Sequence, residues 1–256
     1  MPVAIGVFIA YVVVFIGLTS TSGLKYQEYF ATGPNVTRAA VIPLACASVL
    51  LVLFLLWARW DFVFKDPDRL PMSPVLWVPI VLYVVAIVAQ FAVVDWGNAM
   101  DRLLPIIAAG VLVGFAEETL FRGIILRSLR TNGRPEAWVM LFASLWFGFF
   151  HLTNLANGSP PAGVLVQCVL ASAGGVMYYV FRRARGLLVL AMVAHGAWDM
   201  SLFLPAPTGA LANVGNATLV VTFIAAVIAA IFILVRDRTL VVSRSGVQVS
   251  PQAAPR

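Results

Sequence analysis

The sequence predicts an all-α fold, a polytopic membrane bundle of about eight transmembrane helices. Three observations predict it. Of the 256 residues, 61% are hydrophobic and only 11% are charged, against about 25% charged in an average soluble domain. The mean hydropathy is +0.95. The apolar residues are also gathered into runs of spanning length, about 17–25 residues, and short polar stretches between the runs hold most of the charges.

The first run, 3–19, has no Lys or Arg before it and no A-x-A site after it. It is therefore a retained helix rather than a cleaved signal. The segment TSGLKYQEYFATGPNVTR forms a loop, and runs 39–57 and 75–94 follow it. The connector between those two, DFVFKDPDRLPMSP, is polar and proline-rich. The next runs are 103–126, 137–155, 162–181, 187–204 and 217–235, and the seventh, the shortest, is ended by Pro205 and Pro207. Residues 1–235 thus make one transmembrane domain with a motif-bearing core at 103–204. The tail, 236–256, is too polar at its end to pack and is expected to be disordered.

The net charge is +6, yet nucleic acid is excluded as a partner, because the charges cluster between apolar runs as they do at a membrane surface. The lipid bilayer is the partner this composition requires. With eight spans, both termini share a face. That face carries thirteen of the Lys and Arg residues, among them Arg59, Lys65, Arg69, Arg130, Arg244 and Arg256, against Lys25, Arg38 and Arg102 on the other. The bias puts both termini in the cytoplasm, and the lack of organelle signals points to a prokaryotic plasma membrane. Cys46 and Cys168 lie inside apolar runs, so neither a disulfide nor a paired-Cys metal motif is expected.

The fourth run contains GFAEETLFRG, residues 114–123. Each charge there costs about 2.5–3.5 kcal/mol at mid-bilayer. Glu118 and Arg122 are four apart and share a helix face, which offsets part of that cost. Glu117 lies about 100° round the helix and has no local partner. A free carboxylate in low dielectric is what a general base requires. The chain has only two histidines. His151 ends WFGFFH in the fifth run, and His195 stands four residues before Asp199 in the seventh. At 1.5 Å per residue from the basic end, Glu117 lies about 15 Å deep, His195 about 12 Å, Asp199 about 18 Å and His151 about 21 Å. That common layer predicts one site, reached from the cytoplasmic side.

A Glu, two His and an Asp, with no Ser or Cys nucleophile among them, suit the activation of water for hydrolysis. Two versions stand open. In one, three or more of Glu117, His151, His195 and Asp199 bind a divalent metal such as zinc, which acidifies water. In the other, Glu117 with His151 polarises water directly and the His195–Asp199 pair stabilises an oxyanion. Trp146, Phe147, Phe149 and Phe150 read as packing aromatics, and Ala171, Gly174 and Gly175 as points of close helix approach.

Glu117-Glu118-x-x-x-Arg122, Phe147-x-x-x-His151 and His195-x-x-x-Asp199 together resemble the signature of the CAAX protease and bacteriocin-processing family, the CPBP or ABI intramembrane endopeptidases, whose motifs are EExxxR, FxxxH and HxxxN or HxxxD. The resemblance spans 103–204. It implies an all-helical protease acting on a membrane-associated peptide or protein, prenylated for part of the family. It assigns Glu117 and His151 to water activation, Glu118 and Arg122 to support, and His195 and Asp199 to an oxyanion or metal role. Asp199, where other members have Asn, tilts the reading toward metal. Two other classes remain. One is an ion- or proton-coupled transporter, against which the lack of an internal repeat and of broken helices argues. The other is an inactive scaffold or immunity protein.

Overall fold

The structure, a computed structural model, describes the chain except residues 61, 67–69, 207, 244–245 and 250–256. Among the described residues eight long helices alternate in direction: α1 Pro2–Thr21, α2 Gly33–Ala58, α3 Pro74–Ala92, α4 Leu103–Arg130, α5 Glu136–Leu155, α6 Pro161–Arg185, α7 Leu188–Phe203 and α8 Ala212–Arg236. Seven are long and apolar enough to cross a membrane. α7 has 16 residues and is about 24 Å long. It stops where Leu204 turns extended ahead of Pro205. Pro207, Arg69, Arg244 and Arg256 lie outside the described residues.

Every predicted run is a helix, but several helices outlast their apolar stretch. α2 starts at Gly33, where the Thr32 hydroxyl accepts from the Asn35 amide at 3.3 Å. α4 runs on through its polar end to Arg130. Hydropathy marks the bilayer core, whereas helix ends are set by capping and tertiary contacts.

α4 is the central helix, with 56% of its most apolar window buried against 22% for α1. Exposed Ile9, Val13, Leu53, Val85, Val88 and Ile228 give the outer helices an apolar skin suited to lipid. α4 packs most extensively on α7, through glycine. A Cβ on Gly196 would sit 2.6 Å from the Gly110 carbonyl, and one on Gly114 would collide with the Met192 carbonyl. Only glycine lets the two backbones approach this closely, the small-xxx-small mode of membrane helices. Gly110 and Gly114 carry this packing although the sequence reading passed over them.

At the basic end of the bundle, described residues of the α2–α3 connector pack on the turn between α6 and α7. The α2–α3 connector, expected to be a polar link, tucks in instead. Leu188 N donates to Phe64 O at 2.9 Å and Asp66 N to Gly186 O at 2.8 Å, a short bridge pairing Lys65 with Leu187. Val63 and Asp66 are buried. Asp66 is held by Arg182 at 2.6 Å and Arg130 at 3.0 Å. Arg130 also binds Glu136, to which the Tyr179 hydroxyl donates at 2.9 Å. Arg183 pairs with Asp237. Burial alone would push the Asp66 carboxyl up, but Arg130 and Arg182 outweigh it and hold it below the ordinary carboxylate value.

The tail departs from the expectation of disorder over part of its length. β1 Leu240–Ser243 and β2 Gly246–Val249 pair antiparallel, with Val242 opposite Val247, and Val241 bridges to Pro135 at the start of α5. A short alternating Val pattern suffices for a strand pair that has a helix end to dock on.

Candidate active site

α4 carries three of the predicted residues into the middle of the bundle. Directly after Glu118 it loosens into a π-helical stretch, Thr119–Ile125, a feature common at functional sites. The wider turn leaves carbonyl groups without their regular partners. Arg182 of α6 donates through Nη1 to Arg122 O at 2.5 Å and to Val63 O at 2.9 Å, which ties the stretch to the connector.

Glu118 and Arg122 are fully buried and paired, Nη1 to Oε1 at 2.8 Å, as their spacing predicts. The guanidinium also lies over the Phe147 ring, 4.4 Å from its centroid, with Tyr178 at 5.2 Å. Those ring faces replace part of its lost hydration. Glu118 does more than neutralise Arg122. The same Oε1 lies 2.8 Å from His195 Nδ1. With Nδ1–H donating to Glu118, Nε2 is the nitrogen that faces the remaining acids. It lies 3.6 Å from Asp199 Oδ2 and 4.0 Å from Glu117 Oε2. The Asp199 pairing is thus present, and the Glu118 bond is the shorter of the two.

The imidazole is fixed on its flanks. Tyr178 stacks on it at 4.3 Å between centroids and 19° between planes, and Phe147 meets it edge-on at 5.4 Å. The Tyr83 hydroxyl donates to that of Tyr178 at 2.9 Å. Tyr178 and Tyr83 were not legible in the sequence, because one aromatic residue in an apolar helix carries no spacing signal. Glu117 is buried, and among the described residues its carboxylate makes no hydrogen bond; its one ion contact is His195.

His151 stands apart. Its Nδ1 donates to Phe147 O at 3.0 Å, which leaves Nε2 as the acceptor. No carboxylate among the described residues lies within 4.0 Å of it. It is joined to His195 through Phe147, whose ring meets both imidazoles edge-on. Phe147 therefore belongs to the site. Trp146 and Phe150 pack on Phe8, and Phe149 points outward.

A cavity of about 350 Å³ has His151, His195 and Asp199 in its wall, and Glu117 lies behind His195 rather than in that wall. Its other walls are apolar: Leu170 and Met177 of α6, Leu202 of α7, and Leu219 and Phe223 of α8. The cavity runs from mid-bundle toward the end where α5 stops and α6 begins. Depth measured along single helices locates a layer but does not say which side of it is open.

No group of three or more His, Cys, Asp or Glu among the described residues is arranged to hold a metal ion. Glu118 occupies His195 Nδ1, and His151 stands away from every carboxylate. Among the described residues, the set Glu117, His151, His195 and Asp199 does not fit a metal in this geometry.

Residues 98–201 match the family model described as Rce1-like, type II CAAX prenyl endopeptidase Rce1-like. The match covers all three motifs and the helices that carry them. No curated protein matches the chain, and no solved structure does.

Proposed function

We propose that this protein, which matches the Rce1-like family model over residues 98–201, is an intramembrane endopeptidase in which Glu117 is the general base. One observation carries the reading. A buried carboxylate without a hydrogen bond lies 4.0 Å from His195 Nε2, and the other nitrogen of that ring is tied to the Glu118–Arg122 pair. Two hydrogen bonds of about 2.8 Å meeting at one water span such a gap.

In this mechanism Glu117 removes a proton from the water as its oxygen attacks the scissile carbonyl carbon. As an imidazolium, His195 donates from Nε2 to the developing oxyanion, while Glu118 accepts from Nδ1–H and orients the ring and Arg122 offsets the charge of Glu118. The C–N bond then breaks, the carbonyl reforms, and the proton held by Glu117 passes to the leaving nitrogen. His151, with Nδ1 bound to Phe147 O, offers Nε2 to the attacking water or the leaving amine in the cavity. Asp199, 3.6 Å from His195 Nε2, stands beside the place where the oxyanion forms. The substrate is a membrane-anchored peptide or protein, and a prenylated chain end belongs to the same class.

The test is cleavage of a panel of membrane-proximal and prenylated peptides by purified protein. Glu117→Gln is expected to lower the rate by at least about 10²–10⁴-fold, the usual worth of a general base, without lowering thermal stability. A variant that cleaves as wild type does would remove Glu117 from this role. Ion flux in liposomes that depends on Glu117, with no cleavage by wild type, would favour transport instead. Activity is further expected to survive exhaustive chelation; its loss, with recovery on adding zinc, would restore the metal version.

A further inference from the structure

Two phenols border the cavity, and the mechanism leaves their protons idle. Tyr83 of α3 and Tyr178 of α6 are buried, at 1% and 2% exposure, and both line the cavity with His195 and Asp199. Their hydroxyls are 2.9 Å apart. Each hydroxyl carries one proton, and the bond between them uses only one of the two. With Tyr83 donating, the Tyr178 proton is left over. Among the described residues neither hydroxyl is bonded to a further acceptor. A buried tyrosine O–H as a rule has a partner, so the unspent proton marks a place for an acceptor that arrives with the substrate.

Packing turns that hydroxyl toward the cavity and keeps it beside His195. The Tyr178 ring lies nearly parallel to the imidazole, 4.3 Å between centroids and 19° between planes. Its hydroxyl end stands over Gly174, where a Cβ would sit 3.7 Å from the oxygen, and Gly174 is itself part of the cavity wall. Tyr83 is held from behind, its ring 5.0 Å from that of Trp198 and 5.6 Å from that of Phe181. Thus His195 places the Tyr178 ring, and Tyr83 places its oxygen. The site has a use for such a donor. Asp199 lies 3.6 Å from His195 Nε2, and an ionised carboxylate only accepts. The Thr222 hydroxyl, also in the wall, is spent on Thr218 O at 2.8 Å.

We infer that the Tyr178 hydroxyl is a second catalytic donor, which hydrogen-bonds the oxyanion together with His195 Nε2, and that Tyr83 is a positioning residue that donates to the Tyr178 oxygen. The inference rests on the protease reading. No proton is transferred at Tyr178. As water adds, the former carbonyl oxygen takes up negative charge and accepts from the phenol. When the C–N bond breaks and the carbonyl reforms, that hydrogen bond weakens again. A contact that strengthens only in the tetrahedral adduct raises kcat and leaves KM almost unchanged. Donation from Tyr83 polarises the Tyr178 O–H and makes it the better donor.

Kinetics and an analogue of the adduct test this on the purified protein. Tyr178→Phe keeps the ring on His195 and is expected to lower kcat about 10²-fold, with KM unchanged. Tyr83→Phe leaves the Tyr178 proton in place and is expected to lower kcat about tenfold at most. The double variant is expected to be no slower than Tyr178→Phe, since Tyr83 acts through Tyr178. Meta-fluorotyrosine at position 178 returns the hydroxyl and is expected to return kcat. A phosphinate analogue of a membrane-anchored peptide carries the charge and shape of the adduct, and its affinity is expected to fall about tenfold or more in Tyr178→Phe. In wild type isotopically labelled at tyrosine Cζ, the phosphinate is expected to move the Tyr178 resonance and leave that of Tyr179, which is engaged at Glu136. This last measurement holds whether or not the variants fold. An unchanged kcat in Tyr178→Phe, an equal loss in Tyr83→Phe or a Tyr178 resonance that the phosphinate does not move would overturn the donor and leave Glu117 standing as the base. A wild type that cleaves no peptide, yet binds the phosphinate through Tyr178, would instead count against the protease and keep the donor.

Discussion

Two clusters of charge are buried in this bundle, and they are built on opposite rules. At the basic end, Asp66 and Glu136 face Arg130 and Arg182, carboxylate for guanidinium. Tyr179 and the carbonyls of Val63 and Arg122 take up further polar capacity. In mid-bundle, Glu117, Glu118 and Asp199 share one guanidinium, Arg122, and one histidine. Buried charge that is matched and hydrogen-bonded is tolerated as architecture. Buried charge left under-compensated persists where chemistry needs it. The difference separates a clamp from a reaction centre within about one helix length.

The largest effect that would break this comparison is in the clamp. Arg182→Ala strips Asp66 of one partner and leaves the Arg122 carbonyl in the π-helical stretch without its donor. Removing one partner of a buried pair costs about 3–5 kcal/mol, so thermal unfolding in detergent should move down sharply. Arg182→Lys is expected to rescue little, since one ammonium cannot span acceptors that a planar fork reaches together. If Arg182→Ala were as stable as wild type, the clamp would be decoration. Glu117→Gln, by contrast, removes a carboxylate that makes no hydrogen bond among the described residues and whose one ion contact, His195, lies 4.0 Å away.

A smaller effect sharpens the other half of the comparison. Asp199 lies 3.6 Å from His195 Nε2, close to where an oxyanion would form. Asp199→Asn keeps the shape and removes a repulsive charge, so kcat/KM is expected to stay within about tenfold of wild type, that is about 1.4 kcal/mol. Asp199→Ala, which leaves His195 Nε2 without the polar neighbour that orients it, is expected to fall about 10²-fold or more, the scale of a misplaced oxyanion donor. Equal losses in Asn and Ala would mean that the carboxylate itself is needed.

How far these clusters could be read from the sequence follows from what spacing encodes. The eight helices were legible because bilayer length imposes apolar runs, and Glu118–Arg122 because helical spacing fixes neighbours. Glu117 was legible as the acid without a local partner. The Glu118–His195 bond was not, because it depends on Gly110, Gly114 and Gly196 drawing α4 onto α7, and no spacing within one helix reports that. Tyr178, stacked on His195, looks like any buried aromatic residue. The connector looked polar because Asp66 is charged, and its burial is set by Arg130 and Arg182, which are 64 and 116 residues away.

The mildest prediction concerns acid, and it isolates the clamp without touching the site. Because Arg130 and Arg182 outweigh burial and hold Asp66 below its ordinary value, its contribution to stability is fully present above the unfolded carboxylate value of about 3.9. It is lost as pH falls through the lower folded value. Thermal stability of the wild type, as far as Asp66 controls it, should therefore be level from neutral pH to about 5 and decline below about 4. Asp66→Asn starts lower at neutral pH, since it lacks the charge that Arg130 and Arg182 require, but it has no such proton to gain. The gap between the two proteins should then narrow as the solution is acidified. Curves that stay parallel from pH 7 to pH 3 would mean that Asp66 is not charged in the folded protein, and the matched cluster would lose the carboxylate on which both arginines converge.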